Sequence, residues 1–541
     1  MQTSQEEESS YILATLERMD NEIRDVRSRA AGLNNIYSAT FSLPSEVLAT
    51  IFLDVCSDKA SFKEIGVRNP VIEVVSRVCS QWRRVACTTP SLWARVHLQF
   101  MDSEWATVTS FRVLQLHFLN AGGLPVHVTL DISRCSGCHR LLHFSSYMFS
   151  SKVVPTKYTS YTTIFSFILV ENSEKLGTLT LTPHSSLPSN WTDALSSYTM
   201  NSTKGFPNLT KFNIHTNTPD WNTQLQSRLR STCELFKGTE VPRLQKVFAA
   251  NLLIPIQLPF ASLATLCLDH FPINDCISLL KECPRLTDFR SSYPSGPPDT
   301  KHDLAPVTKP IVLHNLRTLV WGFGYKSWDA TLMTHFEFPS LSSLYVEHVL
   351  AKRARWYRDD LQSMSQPEFA TKYWIPFLHS LPRLRCFSHD MIQSFAGTDD
   401  HGLRSLWETL SHIDTLEDLK VHGWQCSHQQ LIDNILLPLT LKNGTGFLPH
   451  LKSLSFGGEC VPRQGDDIDK LLGMLESRVN VSQEKRPLQS LHLHDNRWDS
   501  SPIPHWERWP GMQKERLLEL TVDGLNIRAS QHPIHRNDSD E

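Results

Sequence analysis

The sequence predicts an α/β protein in which an N-terminal helix and a small all-helical block precede an irregular solenoid of strands and connecting segments. Three observations predict it. Apolar residues from Ile12 to Tyr37 recur at alternating steps of four and three. Two apolar faces at helical spacing follow between Leu43 and Trp93. From Leu176 to Leu517 a short apolar motif keeps returning.

The first element is a heptad stripe: Ile12, Leu16, Met19, Ile23, Val26, Ala30, Leu33 and Tyr37 occupy the two inward positions of each heptad without a slip. Glu22 and Arg27 fall at g and the following e, the pair that meets across a parallel two-helix coil. A stripe this short is at the length where a helix needs a partner. Two readings stay open: a homodimer through this helix, or one amphipathic helix docked on its own chain.

The second element reads as short helices. Pro44 suits a first helical turn and Glu46 the same end of the helix dipole. Val47, Leu48, Ile51, Phe52 and Val55 then make one apolar face. Beyond a polar loop around Asn69-Pro70, the set Val74, Val75, Val78, Cys79, Trp82, Val85 and Ala86 repeats the pattern, and the two stripes can bury each other. Pro90-Ser91-Leu92-Trp93 ends the block.

These residues carry a resemblance. The run LPSEVLATIF followed by VSRVCSQWRRVACTTPSLW resembles an F-box, and the heptad helix ahead of it is similar to the arrangement in many fungal F-box proteins. The segment from Asp54 to Asn69 is longer than in compact F-boxes, which implies a displaced middle helix. The resemblance implies a Skp-type adaptor of a cullin-RING ubiquitin ligase as partner. It implies contact, or packing beneath the contact, at Leu43, Pro44, Glu46, Val47, Leu48, Ile51, Phe52, Val78, Cys79, Trp82, Leu92 and Trp93.

The third element is a repeat of the form Leu, two residues, Leu or Phe, one residue, an apolar residue. It reads LGTLTL at Leu176, LTKFNI at Leu209, LQKVFA at Leu244, LATLCL at Leu263, LTDFRS at Leu286 and LRTLVW at Leu316. It continues as LSSLYV at Leu341, LRCFSH at Leu384, LEDLKV at Leu416, LKSLSF at Leu451, LQSLHL at Leu488 and LLELTV at Leu517. Several copies follow a proline, as in FPNL, VPRL, FPSL and LPHL. In a strand the fourth and sixth positions share a face that only a stacked neighbour buries, so the pattern resembles a degenerate leucine-rich-repeat solenoid. Two insertions interrupt it: Arg290 to Pro310 as an exposed loop, and Ala351 to Trp374 with a helix and the basic run KRARWYRDD, read as a solvated helix face.

Domains follow as an acidic N-terminus and heptad helix over 1–40, the F-box over 41–95, a linking region with the first strands over 96–175, the solenoid over 176–528 and a polar tail over 529–541. The side chains flanking the buried strand positions place Tyr345, Glu347, Lys420, His422, His492 and His494 outward as candidate substrate contacts. Trp424 and Trp498, just beyond two of these strands, are either aromatic anchors or core.

Composition excludes several classes. A formal charge of −3 and a pI near 6.8 leave no electrostatic footprint for nucleic acid. Met1 to Ser10 lacks the pattern of a secretory signal, so the expected location is cytoplasmic and/or nuclear, with the 12 cysteines as thiols. The most apolar stretch, Leu252 to Leu268, is broken by Pro255, Gln257 and Pro259, so no membrane partner is expected.

Cys135-Ser136-Gly137-Cys138-His139 spells a haem-attachment motif but is read as a turn with incidental thiols, since no second ligand pair for zinc follows. Gly322-Phe323-Gly324 lacks the third glycine of a dinucleotide loop, and His492, His494 and Asp495 read as a surface pair rather than ligands. The expectation is therefore a non-enzyme without metal or cofactor: a substrate receptor of an SCF ubiquitin ligase that holds an unknown protein substrate. The alternative is an F-box or repeat scaffold that binds partners without directing ubiquitin transfer.

Overall fold

The computed structural model describes residues 2–36, 42–57, 70–99, 108–131, 161–182, 205–215, 233–234, 236, 240–250, 256–257, 260–271, 273–292, 309–323, 326–348, 366–391, 410, 413–423, 432–441, 447–458, 461–462, 465–479, 488–494 and 505–530. They form two compact units. The first holds the chain through Pro188 together with Asn201–Leu209, and the second holds Ser189–Met200 and everything from Thr210 onward.

The first unit opens with helix α1 (Gln2–Ile36), followed by α2 (Ser45–Ser57), α3 (Pro70–Val78), α4 (Ser80–Thr88) and α5 (Pro90–Trp93). Pro44 stands just ahead of α2, and its carbonyl accepts the Leu48 amide at 3.1 Å. The chain from Asp54 is helical through Ser57, so the expected loop begins later than its composition suggested. The second apolar stripe is not one helix. Cys79 adopts extended backbone (φ −157°, ψ 173°) and its thiol accepts the Trp82 amide at 3.4 Å, capping α4 and ending α3.

Three parallel strands complete this unit: β1 (Arg95–Gln99), β2 (Val126–Asp131) and β3 (Leu176–Thr182), with helix α6 (Val108–Asn120) between β1 and β2. Val96 pairs with Val128 and Leu98 with Leu130, while Val128 and Leu130 pair with Leu179 and Leu181. All six are buried, so alternate residues make one apolar face.

In the second unit eleven parallel strands of the main sheet run in chain order among the described residues. They are β4 (Lys211–His215), β5 (Lys246–Ala250), β6 (Thr265–Asp269), β7 (Asp288–Ser292), β8 (Thr318–Phe323), β9 (Ser343–His348), β10 (Cys386–Met391), β11 (Asp418–Gly423), β12 (Ser453–Gly458), β13 (Ser490–His494) and β14 (Asn526–Ser530). Helices return the chain between several of them: α7 (Ile273–Glu282), α8 (Lys326–His335), α9 (Gly465–Val479) and α10 (Gly511–Val522). This mixed α/β arrangement is compatible with a repeat solenoid.

Many of these strands are launched by the same turn. The Leu244 amide donates to the Val241 carbonyl at 3.2 Å, Leu286 to Cys283 at 3.2 Å, Leu341 to Phe338 at 3.1 Å, Leu384 to Leu381 at 3.3 Å and Leu451 to Leu448 at 3.2 Å. Pro242, Pro284, Pro339, Pro382 and Pro449 occupy the second position of these turns. There their fixed φ is favourable and no N–H is missed. The strand that follows starts in register because its first amides reach the carbonyl ahead of the preceding strand. Ser343 bonds Arg317, Cys386 bonds Ser342 and Asp418 bonds Arg385, all at 2.9 Å.

The motif at Leu517 is a correction. LLELTV lies inside α10, not in a strand, and the last strand starts nine residues after Leu517, at Asn526. Gln513, Leu517 and Leu520 are buried while Leu518 and Val522 face solvent, the spacing of a helix. Gly524, with φ +101°, then turns the chain toward β14.

Two rows of apolar side chains line the inner face of the array. One runs Leu344, Phe387, Leu419, Leu454 and Leu491, and the other Val346, His389, Val421, Phe456 and Leu493. His389 is the polar member, and burial lowers its pKa to about 4, so it stays neutral in the core. Arg478 on α9 is also fully buried. Its guanidinium donates to the carbonyls of Leu439 (2.7 Å), Leu448 (3.1 Å) and Phe447, tying α9 to the segment before β12.

Among the described residues no helix is long and apolar enough to cross a membrane. Tyr37, Cys135, Cys138, His139, the basic run at 352–358, Trp424 and Trp498 lie outside the described residues.

Candidate protein-interaction surfaces

The first surface is on the helical block. Leu48 and Phe52 of α2 are buried, and Phe52 meets Trp82 of α4 with ring centroids 5.0 Å apart. Trp93 is buried too. Its indole N–H donates to the Ala86 carbonyl at 2.7 Å, its own carbonyl bonds His117 Nδ1 at 3.0 Å, and its ring lies 5.2 Å from that imidazole. Burial holds the His117 pKa below its ordinary value, so α6 supports Trp93 with a neutral imidazole. Leu92 joins this core.

Of the two roles that the resemblance implies, Leu48, Phe52, Leu92 and Trp93 take the packing beneath the surface, because helices this short touch at only one side of each stripe. The other side stays in solvent. Val47 and Ile51 of α2 are 42% and 43% exposed, and Val74 and Val78 of α3 are 61% and 52% exposed. Each pair is four residues apart, one helical turn, so each helix presents an apolar row outward. Val55 extends the α2 row. Pro44 and Glu46 are exposed near its start, whereas Leu43, Cys79 and Trp82 are half-buried. Val74 was visible in the sequence stripe but not singled out, since spacing alone does not say which half of a stripe is covered.

The second surface is the strand face opposite the apolar rows. Pairing register sets side chains on it in ladders: Arg290, Val320, Tyr345, Ser388, Lys420, Ser455, His492 and Arg528 lie on adjacent strands in one line. His422, Gly457 and His494 form the next line, and Glu347, two residues beyond Tyr345, stands on the same face. Tyr345, Lys420 and His492 are half-buried, with the Lys420 ammonium 5.5 Å from the Tyr345 ring centroid and 3.5 Å from Asp418. The Cys386 thiol donates to Asp418 at 3.4 Å, and burial pushes its pKa up to about 11, far from a nucleophile's range.

Glu347, His422 and His494 were expected outward and are buried instead. They do sit on this face, but strands about 4.8 Å apart bring their neighbours' side chains across them. Arg290 reaches Glu347 at 3.4 Å. His422 fills the space over Gly457, where an added Cβ would lie 2.1 Å from Nδ1. His494 has rings on two sides, His492 at 6.0 Å and His422 at 6.3 Å.

The His492 and His494 imidazoles are not cations at neutral pH. Burial lowers His494 to about 4, helped by His492 and Lys420, and burial with Arg528 lowers His492. The patch therefore offers neutral donors and acceptors, with Lys420, Arg290 and Arg528 as its fixed positive charges. Arg290, Ser388, Ser455 and Arg528 were missed by reading one strand at a time; the signal lay in aligning the same motif position across all strands.

Residues 40–99 match the F-box-like family model, which spans the helical block from just before α2 through β1. The chain thus carries an F-box-like domain, and the match supports an F-box protein. An F-box implies binding to a Skp-type adaptor. No curated protein matches the chain as a whole.

Proposed function

We propose that this chain is a substrate receptor of an SCF ubiquitin ligase: the F-box-like block binds the Skp-type adaptor, and a leucine-rich-repeat array holds a protein substrate. The observation that carries the reading is the F-box-like block itself, with apolar rows at Val47–Ile51 and Val74–Val78 left in solvent. Exposed valine and isoleucine rows on a block of this size are the signature of a face that a partner completes. Pro44 and Glu46 border that contact, while Leu48, Phe52, Leu92 and Trp93 hold its shape from beneath.

The strand face around Tyr345, Lys420 and His492 takes the substrate by hydrogen bonds and by the Tyr345–Lys420 pair. The receptor contributes no nucleophile. Transfer is accelerated by raising the local concentration of substrate lysines near the charged conjugating enzyme.

The test separates the two surfaces. Val47→Asp with Ile51→Asp should abolish co-purification with a Skp-type adaptor at an unchanged thermal unfolding profile, and Lys420→Glu with His492→Glu should spare it while losing the substrate. Undiminished adaptor binding by the first variant overturns the F-box interface. Adaptor and partner binding without ubiquitin transfer to the partner, in a reconstituted ligase, would make the chain a scaffold.

A further inference from the structure

Helix α1 carries a continuous apolar row that stays in solvent: Ile12, Leu16, Met19, Ile23, Val26 and Leu33 are 44 to 65% exposed. Charged residues flank the row at Asp20, Glu22, Arg27 and Arg29. We propose that α1 pairs with the α1 of a second copy of this chain as an antiparallel two-helix coil centred between Arg24 and Asp25.

Size complementarity selects the orientation. With the helices antiparallel about that centre, Leu16 packs on the second copy's Leu33, Met19 on its Ala30 and Ile23 on its Val26. Each layer then joins an a to a d position. The small Ala30 thereby meets the long, adaptable Met19. In a parallel coil Ala30 would stack on Ala30 and leave a void in the middle of the seam.

Charge points the same way. In the antiparallel register Glu22 faces Arg29 and Asp20 faces Arg27, and the two-fold axis repeats both attractions. A parallel coil retains only Glu22 with Arg27, because Asp20 then faces Thr15 and Arg29 faces Asn34. Sliding the antiparallel pair by one heptad in one direction sets Glu22 against Glu22 and Asp20 against Asp20. The opposite slide sets Arg27 and Arg29 against themselves. Like charges thus exclude the neighbouring registers, leaving one arrangement with every charged flank satisfied. The pair that Arg29 makes with Asp25 along its own helix, 3.4 Å long and exposed at both ends, is too weak to compete.

The seam from Leu16 to Leu33 is about 25 Å long, which suits a dimer in exchange with monomer at micromolar concentration. Sedimentation of the full chain across that range should show a monomer–dimer equilibrium, and Ile23→Asp should abolish it without changing thermal unfolding. Glu22→Arg and Arg29→Glu should each raise the dimer dissociation constant about tenfold. The double variant should restore it to within about twofold of the parent, because the swapped charges meet again. A full chain that stays monomeric, or a dimer that survives Ile23→Asp, overturns the proposal. So does a silent Arg29→Glu with a double variant as weak as Glu22→Arg, the outcome a parallel coil gives.

Discussion

In the helical block, α2 buries Leu48 and Phe52 and leaves Val47, Ile51 and Val55 in solvent, although all five belong to one stripe. In the strand array the opening leucines Leu244, Leu316, Leu341, Leu384 and Leu451 are all fully buried. The chemistry of the side chains is the same, so the difference lies in how the neighbours are supplied. A strand in the array has a strand on each side, and its inner residues stack on the same row of both. A short helix in a small cluster meets partners along one line only, and a wide stripe overflows it. The array is closed along its apolar rows, whereas the block has a face to offer.

The largest expected effect tests how tightly the array is closed. Replacing Arg478 by Met removes three bonds to buried carbonyls and leaves those carbonyls without a donor. Unfolding of the array by denaturant should show a loss of about 4 kcal/mol. A loss near zero would mean the segment around Leu439 and Leu448 finds its donors elsewhere, and the array is looser than its leucines imply.

A smaller effect is expected from pH. His389 sits between Val346 and Val421 with a folded pKa near 4 against an ordinary 6.5, so the unfolded chain binds its proton first. Array stability should then be constant above about pH 6.5 and fall progressively toward pH 4, by up to about 3 kcal/mol. His389→Leu should flatten that decline. An unchanged pH profile would place the sensitivity at His494 on the opposite face.

The smallest effect sharpens the contrast. Val47→Ala in the block should change stability by less than about 0.5 kcal/mol, because the side chain is already in water. A truncation such as Leu419→Ala in the array should cost about 3 kcal/mol. Equal losses, measured by the same denaturant titration, would show that Val47 is packed after all and that the block has no free face.

Much of this was legible in the residues. The heptad spacing from Ile12 to Leu33 lies on one helix, the F-box-like block falls where Leu43 to Trp93 pointed, and most of the leucine motifs open strands. Leu517 was misread because a leucine-rich segment fits both periods, and the burial of Gln513 that reveals the helix has no apolar signature. Cys79 was read as a member of a stripe, yet its extended backbone breaks that stripe into two helices.

Local residues determined the elements of this protein: periodicity states which side chains want cover, and proline at the second turn position states where a strand begins. Only the tertiary structure decided which cover was obtained. Val47 and Leu48 are adjacent and both apolar, yet one is exposed and the other buried, because α3 and α4 approach from one side. Likewise Glu347, His422 and His494 alternate correctly for an outward face but are buried across the ladders, since successive strands, separated by intervening segments of chain, lie side by side. Sequence spacing fixes a direction along one element, and accessibility depends on what the other elements bring against it.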